Sequence, residues 1–600
     1  MDSSFNPVNE NPKPPRPMSS KITGYAGEDI WRLCEPANVL QLPLESELVG
    51  FSDSSSQDYS VNIFPKIEET FKENGLEKPK DLVCFHKRRL YEKNAEWHPT
   101  IEIASTVQLR DRWPDMIKKI RAILIEIGRT DIVIEIQDRN YSRRTTEAVD
   151  AEEPICGKWP NLNPEIERLL DGRDWNALEV FRRGPREVRA NPIESKHRVT
   201  ILISAGKEGT AKDWQDVAEA VHKLCIQANL EEVDVEVSRV SWAFGTLTTK
   251  ITYCPLLKVV RDEIIRYAGV VNSGDDIGYG DSARGTIGGY ISLDGPDGSE
   301  IYGLTCAHVV SKNGELPSNP SNSTGSADMN PSIRIFSPSI ISRHKQMEDS
   351  RESIRGSEDR IRDIRETYRQ HEFLPRSDEA DLREEERSIS QMKTETDEII
   401  RELGTGDSHV GRVRYASGFR KSERVNCSID WALISVEPHR IGRNRVPPVE
   451  SVHSAVRKDY SPKTEFMTLR RKLKKCNPYV LSGARTGISM GRFSEIDSNV
   501  EFRDEGMTNR VGKTTETVFV PSKTYVRFSE RGDSGAFVLD KSGRLCGMLL
   551  GGKLKNESVS YVTPMEVIFE DIENVTGRRV SLPDQEEEVL SQTRVSSIMI

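Results

Sequence analysis

No run of about 18 apolar residues, the length a membrane-crossing helix needs, occurs anywhere in the 600-residue chain. The opening MDSSFNPVNENPKPPRPMSS places Pro, Asn and Ser where a secretory leader needs a continuous apolar core, so an intracellular, cytoplasmic chain is expected. None of the nine cysteines (Cys34, Cys84, Cys156, Cys225, Cys254, Cys306, Cys427, Cys476 and Cys546) belongs to a C-x-x-C pair, and their number is odd. That argues against a zinc ribbon or a disulfide framework, and reads as small core residues in a reducing compartment. No basic block long enough to track a phosphate backbone is present, and the net charge of -10 argues against a nucleic-acid partner. With 36% hydrophobic and 30% charged residues, part of the length is expected to be solvated tail, linker or surface helix.

What is present falls into distinct textures. Residues 1–28 are dominated by Pro and polar types and read as a disordered tail. Residues 29–250 read as an α+β module. In it, Val61 to Lys72 is locally helical and Glu77 to Lys80 is a turn. The module contains an internal duplication, about 98–138 and 197–240. The run Thr100–Ser105, a helix opened by Trp113 and the run Asp131–Ile136 recur as Val199–Ser204, a helix opened by Trp214 and Val233–Val237. Within the helices Trp113, Asp115, Ile120 and Ile125 fall opposite Trp214, Asp216, Val221 and Ile226, and Gly128 falls opposite Asn229 at the C-terminal ends. The stretch between the copies, 140–190, reads as loop with one short helix at Trp175 to Phe181. No grouping of His, Cys or carboxylates of the kind chemistry requires is visible in either copy.

From 255 to 577 short alternating runs separated by Gly, Asp and Asn predict an all-β domain, closed by a helix from Pro564 to about Asn574. One interruption, 344–403, carries Met347, Ile354, Ile361, Ile364 and Tyr368, then Leu382, Ile389, Met392, Ile399 and Leu403, at spacings of three, four and seven. This predicts an antiparallel helical hairpin with a narrow apolar seam, a candidate partner-binding arm or a solvated spacer. Residues 578–600 read as a flexible tail.

Three motifs in the β region carry chemistry: Leu304-Thr-Cys-Ala-His308, Ser428-Ile-Asp430-Trp-Ala-Leu-Ile, and Arg531-Gly-Asp-Ser534-Gly-Ala. Acyl transfer needs a hydroxyl nucleophile, an imidazole that takes its proton and a carboxylate that orients the imidazole, and these residues supply all three. Glycines beside Ser534 allow a turn sharp enough to aim the Gly532 and Ser534 amides at one point as an oxyanion hole. The order His, Asp, Ser differs from the α/β-hydrolase order, and Ala536 breaks the G-x-S-x-G pattern. His409, His439 and His453 lie in no comparable motif and read as structural.

On these motifs residues 270–575 resemble the trypsin/chymotrypsin-like serine peptidase family, in its intracellular, disulfide-free fungal form. The segment Ser482-Gly-Ala-Arg-Thr-Gly487 is similar to a Gly/Thr-rich strand of that family's second barrel. The resemblance implies a double β-barrel with His308, Asp430 and Ser534 as catalytic residues, an oxyanion hole at Gly532 and Ser534, and no metal or organic cofactor. It also places Phe528, six residues before the nucleophile, at the base of the specificity pocket, where a non-acidic residue favours small or apolar substrate side chains. The sequence departs from the family in its long His308-to-Asp430 spacing, accounted for by the helical insertion. It also lacks an activation sequence before Thr286, so Asp533 has no new amino terminus to pair with. The expected activity is that of an intracellular serine endopeptidase acting on protein or peptide. The N-terminal module or the hairpin would recognise a partner, without nucleic acid or membrane. Two alternatives stand beside it: a catalytically inactive interaction scaffold, and a self-processing protease that cuts its own linker at 255–280.

Overall fold

The computed structural model describes residues 22–24, 32–35, 44–48, 59–73, 83–90, 96–105, 107–138, 144–185, 197–206, 211–239, 242–243, 270–279, 283–295, 298–311, 333–339, 342, 351, 353–359, 361–362, 365–366, 376–405, 408–422, 424–469, 473, 478–502, 512–522, 527–553 and 558–583. The turn expected at Glu77 to Lys80, most of both tails, the linker 255–269 and the seam positions Met347, Ile364 and Tyr368 lie outside these residues. The chain divides into two compact units, one of residues 1–144 with 153–240, the other of 145–152 with 241–600.

In the first unit, strands His98–Ser105 and Val133–Asp138 run parallel and are joined by helix Trp113–Glu126, as a crossover connection requires. Arg198–Ala205, helix Ala211–Gln227 and Asp234–Arg239 repeat the arrangement. Trp113 and Trp214 are both buried, and so are Ile120 and Val221. Gly128 (φ 75°) and Asn229 (φ 56°) end the two helices in the same left-handed conformation. Thr100 and Thr200 each donate a hydrogen bond to the carbonyl two residues earlier. This register makes Ala205 the counterpart of Ser105, with a consequence for the indoles. Trp113 Nε1 donates to Ser105 Oγ at 3.0 Å, whereas Trp214 Nε1 has no acceptor among the described residues.

The repeat is larger than the sequence pattern. Each copy is preceded by an antiparallel strand, Val83–Leu90 or Trp175–Pro185, that sets Arg88 opposite His98 and Arg183 opposite Arg198. A helix precedes each of these strands in turn, Phe64–Glu73 or Pro154–Leu170. Two expectations for residues 140–190 are corrected here. Pro154–Leu170 is a helix despite Pro160 and Pro164, because Ile155, Leu162, Ile166 and Leu170 bury one face. Trp175–Phe181 is strand and not helix: it is paired along Arg198–Ala205 and buried on both faces, so the apolar spacing that mimicked a helix yields to the sheet. A polar cluster links the first copy to the strand that precedes it. His86, Arg88, Glu102, Glu135 and Gln137 converge on one face of the five-stranded sheet. They come from three strands, and no local spacing announces them.

In the second unit, one sheet runs in the order Ala283–Thr286, Asp276–Tyr279, Arg334–Phe336, His409–Ala416, Ala432–Val436, Gly298–Thr305, Gly289–Gly295, Val580–Ser581. The last strand pairs with Ser292 and Leu293, and Arg578 donates to the carbonyls of Leu293 and Asp294. The boundary expected at 577 therefore falls short of an element that the backbone ladder fastens to the unit. A second group of strands forms a circuit. Pro478–Gly483 pairs with Gly487–Phe493 and with Phe537–Asp540, and Ser560–Pro564 pairs with both Lys513–Pro521 and Arg544–Lys553. The links Gly487–Phe493 to Lys513–Pro521 and Phe537–Asp540 to Arg544–Lys553 complete it. Helix Met565–Thr576 buries Met565, Ile568, Phe569 and Ile572, and stops at Gly577 in a left-handed conformation.

The helical insertion leaves Arg334–Phe336 and returns on His409–Ala416, two strands that pair with each other. Helical residues between 351 and 366 face helix Arg376–Thr405. Ile361 and Ile389 are both buried there, Glu358 lies 3.4 Å from Lys393 and Arg365 lies 3.1 Å from Glu386. Numbers rise on one side as they fall on the other, so the two runs are antiparallel. Among the described residues no helix is long and apolar enough to cross a membrane, and no disulfide joins the seven described cysteines.

Candidate active site

His308 lies in a single turn of 3-10 helix, Ala307–Val309, directly after strand Gly298–Thr305. Asp430 lies between the short strand Ser428–Ile429 and strand Ala432–Val436. The two are 122 residues apart in sequence, yet Thr305 is the ladder partner of Ala432 and Leu304 of Leu433. Strand pairing alone therefore delivers the carboxylate to the imidazole. Asp430 Oδ1 accepts the His308 backbone N–H at 3.1 Å, and Asp430 Oδ2 is hydrogen-bonded to His308 Nδ1. A carboxylate can only accept, so His308 Nδ1 is the donor in that bond. Both side chains are fully buried.

The backbone around Asp430 is fastened on each side. Ser428 N–H donates to Glu516 Oε1 at 2.9 Å, and Trp431 N–H donates to Ser417 Oγ at 2.8 Å. The Trp431 indole donates to Asp571, whose carboxylate also takes both hydrogen bonds from Arg420. A carboxylate that must hold one imidazole tautomer gains from such support, because its own rotamer is then set by the fold.

Ser534 is carried by a turn between two glycines with positive φ, Gly532 (103°) and Gly535 (93°). A side chain is excluded at Gly535 twice over. That φ is costly for any L-residue, and an added Cβ would come within 2.4 Å of Thr286 O and Thr305 Oγ1 and 3.2 Å of Cys306 N. The Ser534 turn therefore abuts the end of the strand that leads to His308. Thr286 N–H donates to Ser534 O at 2.9 Å, Thr286 Oγ1 to Gly532 O at 3.0 Å, and Gly535 N–H to Leu549 O at 2.9 Å. Among the described residues neither the N–H groups of Gly532 and Ser534 nor Ser534 Oγ has a hydrogen-bond partner. Unpaired N–H groups in buried residues are rare, and two on one turn make a ready acceptor site for an oxyanion.

Asp533 replaces a missing partner with local donors. Its Oδ1 accepts the backbone N–H of Arg485 at 2.7 Å and of Thr486 at 3.1 Å, while Oδ2 accepts Glu530 N–H at 2.7 Å and the Thr486 hydroxyl. Burial pushes the Asp533 carboxyl above the usual range and these donors counter the push. The Ser482-to-Gly487 segment thus orders the turn that bears Ser534. Its role was not legible in the sequence, since nothing local links Thr486 to Asp533. Arg284 is buried beside the same turn, with Nε 3.5 Å from where a Cβ of Gly532 would stand and Arg485 Cγ at 2.7 Å. Burial, then the charges of Arg485 and Arg531, hold Arg284 below the usual guanidinium range. The carboxylates of Asp276 and Asp533 act in the opposite sense.

Phe528 is fully buried, stacked on Phe519 at 5.4 Å, with Ser489 Oγ donating to its carbonyl. A Cβ on Gly491 would meet its ring at 2.6 Å. Of the other histidines, His409 packs edge-on against Phe336 while His439 and His453 are exposed. The ligand atoms of Cys306, His308 and Asp430 lie within 4.8 Å of one another, close enough to surround an ion. They make a poor ligand set: burial, then Asp430, hold the Cys306 thiol well above its usual pKa, and both Asp430 oxygens are engaged by His308.

No family model matches the sequence, and no curated protein matches it. Solved structures resemble it weakly. Thermobifida fusca Protease A is 14% identical over 52% of this chain and 100% of its own, with a TM-score of 0.25. A glutamic acid specific serine protease is 12% identical over 52% of this chain and 100% of its own, TM-score 0.25. Nocardiopsis Protease is 12% identical over 52% of this chain and 98% of its own, TM-score 0.24. Likeness at these scores does not assign the chain to a family.

Proposed function

We propose that the second unit is a serine endopeptidase of the double β-barrel type, in which Ser534 attacks the peptide carbonyl, His308 takes the hydroxyl proton and Asp430 holds the imidazole. The observation that carries the reading is the buried His308–Asp430 pair beside a glycine-flanked serine turn with two unpaired N–H groups. In the forward step the Ser534 Oγ–C bond forms, and the oxyanion takes the Gly532 and Ser534 N–H groups. The imidazolium then protonates the leaving amine as the C–N bond breaks, and water completes hydrolysis by the reverse path. Ser534 Oγ meets His308 when substrate is bound, since such bonds tighten in the complex. Phe528, buried in the core against Phe519, supplies no acid, so the substrate side chain next to the scissile bond is small or apolar.

A fluorophosphonate probe on the native full chain tests this. It should label wild type at a single serine, located at Ser534 by peptide mapping, and Ser534→Ala should lose the label. A folded wild type that never labels would favour the scaffold reading instead.

A further inference from the structure

Strand Arg544–Lys553 runs past the candidate nucleophile. Leu549 exchanges hydrogen bonds with the turn, its carbonyl accepting Gly535 N–H and its N–H donating to Ala536 O, each at 2.9 Å. One edge of this strand is taken by Ser560–Pro564 as far as Gly552. The other edge is taken by Phe537–Asp540 only up to Met548, and from there the chain turns away through Ser534. The edge beyond Met548 thus begins at Ser534 and leads outward. An extended peptide adds to such an edge through main-chain hydrogen bonds.

That edge has an occupant from the same chain. Trp242 pairs with Lys553 and Ala243 with Gly552, antiparallel. Because Gly552 also pairs with Ser560, Trp242–Ala243 must lie on the opposite edge, the one shared with Ser534. Ala243 is opposite a residue three positions from Leu549, about 10 Å along the strand at ~3.3 Å per residue. The antiparallel sense gives the segment its polarity: from Trp242 to Ala243 the chain heads from Lys553 toward Leu549, and so toward Ser534. A peptide substrate presents the residues on the N-terminal side of its scissile bond with this polarity.

We propose that the chain's own Trp242–Ala243, resident on the Gly551–Lys553 edge, is a pseudosubstrate that an incoming peptide displaces. This rests on the reading of Ser534 as the nucleophile. A tethered segment competes at an effective concentration on the order of millimolar, so a free peptide must bind the edge more tightly than that or arrive while it is open.

Two covalent probes separate the terms: a small fluorophosphonate, which needs only Ser534, and a tetrapeptidyl phosphonate diphenyl ester, which also needs the edge. Alternate residues carry the hydrogen bonds in an antiparallel pair, so Trp242→Pro and Ala243→Pro together cover both registers. In the full chain, at least one of them should raise the peptidyl probe's labelling rate about tenfold while the small probe's rate changes less than twofold. Equal peptidyl rates in wild type and both variants, with the small probe reactive throughout, would overturn the occupancy and leave the nucleophile assignment intact. If no protein labels with either probe, the catalytic reading falls and this inference falls with it.

Discussion

Each unit of this chain sets a histidine against a carboxylate, a pair that is partly buried in the first unit and fully buried in the second. In the first, His86 Nε2 lies 3.1 Å from Glu102, Arg88 reaches Glu102 at 2.7 Å and Glu135 at 2.8 Å, and Gln137 donates to Glu102. Two cationic groups face two anionic ones. Burial pushes the His86 imidazole down, but the Cys84 thiol and Glu102 carboxylate carry it up to about 9, so at neutral pH it is a cation with no capacity to accept a proton. In the second unit His308 has one carboxylate on Nδ1 and a serine turn with unpaired N–H groups beside it. The contrast shows that a His–carboxylate pair is not in itself a site. In the first unit the charges are compensated inside the sheet; in the second, donors on a neighbouring turn are left open, and under the proposed function they meet the charge that develops on a substrate. Arg183 and Glu236 in the second copy of the repeat compensate each other in the same way.

Three changes would break or sharpen that contrast. Gly532→Ala should have the largest effect. At φ 103° the new Cβ would meet Arg485 Cγ at 2.7 Å and shift an oxyanion donor, lowering kcat about 100- to 1000-fold with little change in KM. Steady-state kinetics on a peptide substrate read this, and an unchanged kcat would remove the turn from the mechanism. His86→Gln comes next. A folded-state pKa of about 9 against an ordinary 6.5 stabilises the folded form fully below 6.5, and that contribution is lost as pH rises through 9. The variant should therefore be less stable by up to ~3 kcal/mol at pH 6 and near wild type at pH 9.5. Hydrogen exchange of strand His98–Ser105 at the two pH values is the measurement.

Glu516→Gln should be smallest and opposite in sense. Glu516 is fully buried, and burial raises its pKa above the usual 4.5. Its folded-state contribution is present below 4.5 and lost as pH rises through the raised value, so the amide should gain on wild type by about 1 kcal/mol between pH 5 and 8. A urea midpoint difference that stays flat across that range would contradict a carboxyl that burial holds above its usual pKa despite the Ser428 hydrogen bond.

Much of this was legible from residue order. The repeated Trp, Ile and Gly or Asn positions predicted two copies of one strand–helix–strand unit, because helix periodicity and a left-handed C-terminal residue are local requirements. The insertion's apolar spacing predicted paired helices for the same reason. Turn glycines and strand ends leave local marks, and these singled out His308 and Asp430, which the fold brings into contact, and Ser534, whose part stands as a proposal. Residues Trp175 to Phe181 read as helix from sequence because their apolar spacing fits both periods, and only pairing with Arg198–Ala205 makes them strand.

By itself the sequence determined that a strand-end histidine, an aspartate and a glycine-flanked serine were present, and where its helices and turns had to start and stop. Tertiary structure alone decided that Thr486 would hold Asp533, that Arg88 would neutralise Glu135, and that Trp242–Ala243 would lie along Gly552 and Lys553. The physical reason is range. Capping, turn geometry and periodicity act over a few residues, whereas hydrogen bonding across strands and the cost of burying charge depend on neighbours that only a folded chain supplies.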